Sequence, residues 1–235
     1  MAKRERQKIR NRHENLLLVE GNNERFTIPE LVEANGFTWE IDKKKKEYLV
    51  YINDYGGGDT KIVRSAVIST ELNVPGRKAL GLIVDADDNC AKRWESVRNA
   101  CLRSIPDLPI DLPETGLIHN AFTKNNKPVK FGVWIMPDNK TRGMLETFLA
   151  YLVPNENELL WQYVRQIVIA AKDKGANYKA THLDRANIYT WLALQNPPGR
   201  QLHNAVMEKI LNPQHPKARV FIEWFQNLYS LELGK

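Results

Sequence analysis

The chain reads as an α/β protein, with a mostly parallel sheet flanked by helices and a helical extension after it. Three observations predict this. Short runs rich in strand-forming residues, LLLV at 16–19, YLVYI at 48–52 and ALGLIV at 79–84, alternate with segments of helical period. Such alternation leads the chain through crossover helices into parallel strands. A hairpin pattern follows at 117–136, and beyond Met136 strand signals stop and helical periods take over.

Each element has its own signal. Residues 1–14 form a flexible basic arm. Residues 15–20 make the first strand. A helix over 22–34 is capped by Asn22 or Asn23 and stopped by Asn35-Gly36, with Pro29 kinking or splitting it. The second strand is 48–52, followed by the loop NDYGGGD. A helix over 60–72 starts from Asp59 as cap. The third strand is 79–84, and a helix over 89–104 carries Trp94, Val97, Cys101 and Leu102 at helical spacing. The proline-rich IPDLPIDLPETG is an extended connector. Residues 117–122 and 129–136 flank TKNNKP as a hairpin. Helices are expected at 142–152, 156–172, 184–194, 201–211 and 216–231. The chain therefore divides into the arm, an α/β domain over 15–138, and helices over 139–235 packed on it.

Composition narrows the class. Hydrophobic residues at 43% and charged residues at 26% describe an ordinary soluble globular protein. No apolar stretch approaches the ~20 residues of a membrane span, and the charged N-terminus has no apolar signal region. A cytoplasmic protein without a membrane partner is expected. Cys90 and Cys101 form no CxxC pair and read as buried thiols of a reducing compartment. The net charge of +6 is uneven. Lys3, Arg4 and Arg6 lie in the arm, and Lys43, Lys44, Lys45 and Lys46 form a basic knot. Such runs attract polyanions, nucleic acid first among them, or simply keep a tail solvated.

Two apolar strands end abruptly in acids. LLLV runs into Glu20, with Glu24 four residues later, and ALGLIV runs into Asp85 and Asp87. Ligands of open α/β sheets gather beyond the carboxyl ends of the strands. If these strands are neighbours, their carboxylates share one crevice. Clustered carboxylates repel, and a hard cation such as Mg2+ or Mn2+, which takes oxygen ligands, removes the conflict. The alternative for the second group is helix capping by Asp87, Asp88 or Asn89.

LLLVEG followed by GLIVDADD resembles the Toprim domain, whose pattern is a Glu after the first strand and Asp-x-Asp after the third. EGNNE is similar to the Glu-Gly-x-x-Glu of the overcoming-lysogenization-defect nucleases. FGVWIMPDNKTRGMLETFL and ANIYTWLALQNPPGRQLHNAV resemble segments of a family of small standalone Toprim-like proteins. The resemblance spans about residues 15–230. It implies a Mg2+- or Mn2+-dependent nuclease, with Glu20, Asp85 and Asp87 holding the metal and Glu24, Asp138 and Glu146 assisting. Arg185 stands where these relatives have a lysine, and the resemblance implies that it stabilises charge at a scissile phosphate.

Taken alone, Glu146 falls off the apolar face of its helix and is equally explained by solvation, Asp138 by a turn, and Arg185 by a water-facing first turn. The other reading is a subunit or adaptor without activity of its own. Several Toprim nucleases are coupled to an ATPase; with no GxxxxGK[ST] here, any ATPase would be a separate protein. A homodimer is also compatible. A topoisomerase or primase would need an additional domain for which 235 residues leave no room.

Overall fold

The computed structural model describes residues 13–42, 44–45, 47–56 and 58–232. Lys3, Arg4, Arg6, Lys43 and Lys46 lie outside them. The main sheet holds β1 (Asn15–Leu18), β4 (Tyr51–Asn53), β5 (Ala79–Asp85), β6 (Leu117–Phe122) and β7 (Pro128–Met136). Their order is β4-β1-β5-β7-β6, and every neighbouring pair is parallel except the β6–β7 hairpin. The fold is the expected α/β architecture, a mostly parallel sheet with helices on both faces.

The strand expected over 48–52 is divided. β3 (Glu47–Tyr48) pairs antiparallel with β2 (Glu40–Asp42) in a separate ribbon, and only from Tyr51 does the chain join β1. The N–H of Leu49 bonds the carbonyl of Trp39 at 2.8 Å, which holds the run to the ribbon before it turns into the sheet. Strand propensity specifies an extended chain but not its neighbour.

The helix expected over 60–72 is also broken, into α2 (Asp59–Ile62) and α3 (Ser65–Leu72), with Arg64 extended between them. Ile62 and Ile68 both belong to one core. Six residues apart, they would sit roughly 240° around an unbroken helix, so the break lets both face inward. By contrast Pro29 lies inside α1 (Asn22–Glu33) without dividing it. Gly21 occupies the cap position of α1, so neither Asn22 nor Asn23 caps it; both stand in its first turn.

The remaining helices are α4 (Cys90–Cys101), α5 (Leu145–Tyr151), α6 (Glu158–Asp173), α7 (Leu183–Ala193), α8 (Leu202–Met207) and α9 (Pro216–Tyr229). Alternate strand residues feed two cores. Leu16, Leu18, Leu80, Leu82 and Val84 pack with α3 and α4. Leu17, Val19, Ile83, Trp134 and Met136 pack with α1 and the C-terminal helices. The helices after residue 139 thus cover one sheet face together with α1. α9 lies closest: a Cβ on Gly132 would stand 2.6 Å from Leu228 Cδ2, so the bare backbone at this position admits the helix.

Candidate functional site

β1 and β5 run side by side in parallel, with Leu18 opposite Leu82, so their carboxyl ends meet. Glu20 lies just past β1. Its Oε1 accepts the backbone N–H of Asp85 at 3.0 Å, and its carbonyl accepts the N–H of Gly58 at 2.6 Å. Asp85, the last residue of β5, directs Oδ1 at the N–H of Leu145, 3.0 Å away. That bond fastens the start of α5 to the sheet edge and brings in Glu146.

Glu146 is 1% exposed. It accepts from Arg185 Nε at 2.8 Å and from Asn23 Nδ2 at 3.2 Å. Solvation therefore does not account for it. Arg185, in the first turn of α7, turns toward this carboxylate and stays 44% exposed. Thr147 Oγ1 donates to Asp184 at 2.7 Å, a second tie between α5 and α7. Glu24 is buried in the first turn of α1, and Gly21 gives it room: a Cβ there would lie 3.3 Å from Glu24 Oε2.

The electrostatics follow from this crowding. Burial pushes the Asp85 carboxyl well above its usual range, and the charges of Glu24, Glu20, Glu146 and Asp87 push it further. Burial also raises Glu24; its own backbone N–H draws it back, and the Glu146 charge pushes it up. The charges of four other carboxylates thus act on Asp85 at one sheet edge. Asp85 keeps part of its surface exposed, so the cluster opens to solvent.

Asp87 joins more loosely. Its backbone is left-handed at φ 50°, which Asp tolerates better than most residues, and it exchanges two 2.9 Å bonds with Gly143. Arg93 of α4 holds its half-exposed carboxylate. The cap of α4 is Asn89, whose side chain accepts the N–H of Lys92 at 2.9 Å. Neither Asp85 nor Asp87 serves as that cap.

Asp138 sits in a different network. It accepts the N–H and hydroxyl of Thr141 at 2.9 and 2.8 Å, and Lys217 Nζ at 3.0 Å. Burial alone would raise its carboxyl; these bonds outweigh that and hold it below its usual value. It is not among the charges that act on Asp85.

Lys44 and Lys45 turn around Asp42, whose Oδ1 accepts both backbone N–H groups at 2.9 and 3.0 Å. Their ribbon stands beside His13, ahead of β1, where Tyr48 and His13 stack at 6.2 Å. This is the edge where the strands begin, opposite the carboxylates. The cations that do rim the cluster are arginines: Arg185, Arg93, and Arg25 beside Glu24, which pairs with Asp54 at 4.0 Å. The sequence reading missed Arg25, Arg93 and Asn23. Adjacency to Glu24 was the available signal for Arg25 and Asn23, whereas Arg93 shows none before the fold is known.

The donor set is all oxygen and strongly anionic, which fits a hard divalent cation. The side chains as placed do not form a coordination shell: among the described residues, no three His, Cys, Asp or Glu are arranged to hold a metal ion. Oxygens of Glu20, Asp85, Asp87 and Glu146 are given instead to Asp85 N–H, Leu145 N–H, Arg93 and Arg185.

Among solved structures, the C-terminal region of the Burkholderia pseudomallei OLD protein aligns over 92% of this chain and 98% of its own, with 15% identity and a TM-score of 0.39. None of the curated proteins matches the chain. A family match runs from residue 14 to residue 230, across both the sheet and the C-terminal helices, and the chain belongs to that family, described as protein of unknown function (DUF3226).

Proposed function

We propose that this protein is a divalent-cation-dependent phosphodiesterase acting on nucleic acid. The observation that supports it is the meeting of Glu20, Glu24, Asp85, Asp87 and Glu146 beyond the ends of β1 and β5, with Asp85 held well above its usual range by burial and by the other four charges. Glu20, Asp85 and Asp87 would hold Mg2+ or Mn2+, and Glu24 and Glu146 would lie beside them. Asp138 serves instead to hold Lys217 and the 138–141 turn.

When bound, the cation would neutralise non-bridging phosphate oxygens and make a bound water acidic. The chain's own residues do the rest. Arg185 is kept aimed at the cluster by Glu146 and leaves nearly half its surface for substrate. A guanidinium there offers a planar fork to phosphate oxygens and stabilises charge as it builds. Glu20 and Asp85 fix the ends of β1, β5 and α5 to one another, so the acids keep their relative positions.

The test is incubation of the purified protein with labelled DNA and RNA in Mg2+ or Mn2+, beside Glu20→Gln. Gln still accepts the Asp85 N–H but lacks the charge. Metal-dependent cleavage by wild type alone supports the reading, and equal cleavage by both proteins sinks it.

A further inference from the structure

One turn along α1 from the carboxylate cluster, Phe26 leaves 52% of its surface open to solvent. It is three residues from Asn23, whose amide reaches Glu146 inside the cluster. Residues three apart are neighbours on a helix surface, about 5–6 Å between Cβ atoms. The ring is not isolated. The His203 ring of α8 lies 5.7 Å away at 41°, and the guanidinium of Arg25 stands 5.9 Å from its centroid. An exposed aromatic surface therefore begins where the carboxylates end, flanked by a cation and by a second ring.

We propose that the exposed ring of Phe26, buttressed by His203, is a stacking platform for an unpaired nucleobase, so that the substrate is a single strand. The proposal rests on the phosphodiesterase reading of the adjacent carboxylates. Arg185 and Asn23 both reach Glu146, and Phe26 lies one turn beyond Asn23 on α1, so a strand whose phosphate meets Arg185 can pass the Phe26 ring. In a duplex both faces of every base are already stacked, and none is offered to a side chain. A single strand presents a free face, and such stacking tolerates any base because each has a π surface. Arg25 serves the backbone of that same nucleotide, while Asp54 keeps its guanidinium beside the ring. The chemistry is shared by DNA and RNA strands.

The experiment measures binding of a labelled single-stranded DNA oligonucleotide, and of the same sequence as duplex, by fluorescence anisotropy with Ca2+ in place of Mg2+. Phe26→Ala is expected to weaken single-strand binding about tenfold and to leave duplex binding unchanged. Because Phe26 is exposed, the variant keeps its fold. Phe26→Trp is expected to restore affinity, and its emission reports the contact directly. The six native tryptophans are all buried, so a solvent-facing indole at 26 stands out and is quenched when a base stacks on it. Unchanged single-strand binding by Phe26→Ala overturns the platform, as does an equal loss for both nucleic acids or an unquenched Trp. The two readings fail separately. Single-strand binding by wild type and quenching of Phe26→Trp, with no cleavage by wild type in Mg2+, removes the phosphodiesterase and leaves the platform. Cleavage that persists alongside unaltered Phe26→Ala binding does the reverse.

Discussion

Glu20 accepts the backbone N–H of Asp85 through its side chain at 3.0 Å, so the first acid of the cluster holds the second in place. The carbonyl of the same residue holds Gly58, in the loop that follows β4. Glu20 thereby joins the exits of three adjacent strands, while Asp85 in turn holds the first N–H of α5. Both bonds need only an acceptor, not a charge. Charge and geometry can therefore be removed one at a time.

Asp85→Asn exploits this. The amide oxygen can still accept from Leu145, but one of five crowded charges is gone. In EDTA the variant melts higher than wild type, since the other acids no longer repel a charge at 85. In Mg2+ the order changes. Wild type gains about 2.7 kcal/mol at a hundredfold excess over its dissociation constant, and the variant gains far less, because only a folded site binds the ion well. Melts of both proteins with EDTA and with Mg2+ decide it; equal Mg2+ responses would remove Asp85 from any metal site.

Much of this was legible before the structure, for physical reasons that differ by residue. Glu20 and Asp85 were readable because an apolar run that stops at an acid marks a strand end, and parallel neighbours bring such ends together. Glu146 came only from the resemblance; its place on the helix reads as solvated, because the partners that meet it are Arg185, 39 residues on, and Asn23, 123 residues back. No periodicity encodes a partner at that distance. The break at Arg64 was hidden for a related reason: only the shared core of Ile62 and Ile68 requires it. The ribbon of β2 and β3 took part of a run whose composition suits either sheet.

The seating of α9 is testable through Gly132. A methyl group there meets Leu228, which is fully buried and has nowhere to move. Gly132→Ala should destabilise the protein by about 1–3 kcal/mol, the usual cost of overpacking. Leu228→Val trims the Cδ carbons that crowd position 132 and should recover part of that loss. Urea melts of the two single variants and the double variant measure the coupling; strict additivity would mean that the helix and strand do not press on each other here.

The Glu146–Arg185 pair predicts a second non-additive cycle. Arg185→Ala leaves a buried carboxylate with Asn23 alone and should cost about 1–3 kcal/mol, less than a fully buried pair because water reaches the arginine. Glu146→Gln in that background removes the stranded charge and should restore stability while cleavage stays low. If the double variant were as unstable as the sum of the singles, Arg185 would not be Glu146's partner in solution.

Asp138 gives the acid limb of the stability curve. Its carboxyl titrates below the ordinary 3.8 because Thr141 and Lys217 donate to the ionised form more than burial penalises it. A carboxyl depressed in the folded state binds fewer protons there than in the unfolded chain. Its stabilisation is therefore complete above the unfolded value and is lost as pH falls through the folded one. Asp138→Asn keeps the acceptor for Thr141 and discards the charge that Lys217 pairs with, so the variant isolates the ion pair. Lys217 is 47% exposed, which limits that contribution to about 1 kcal/mol. Thermal melts between pH 2 and 7 should show wild type ahead by that amount at neutral pH, with the difference closing below about pH 4. High salt should shrink the neutral-pH difference as well, since the pair is open to screening. A gap that stays constant down to pH 2 would mean that Asp138 stabilises the 138–141 turn by shape and hydrogen bonding alone, with no contribution from its charge.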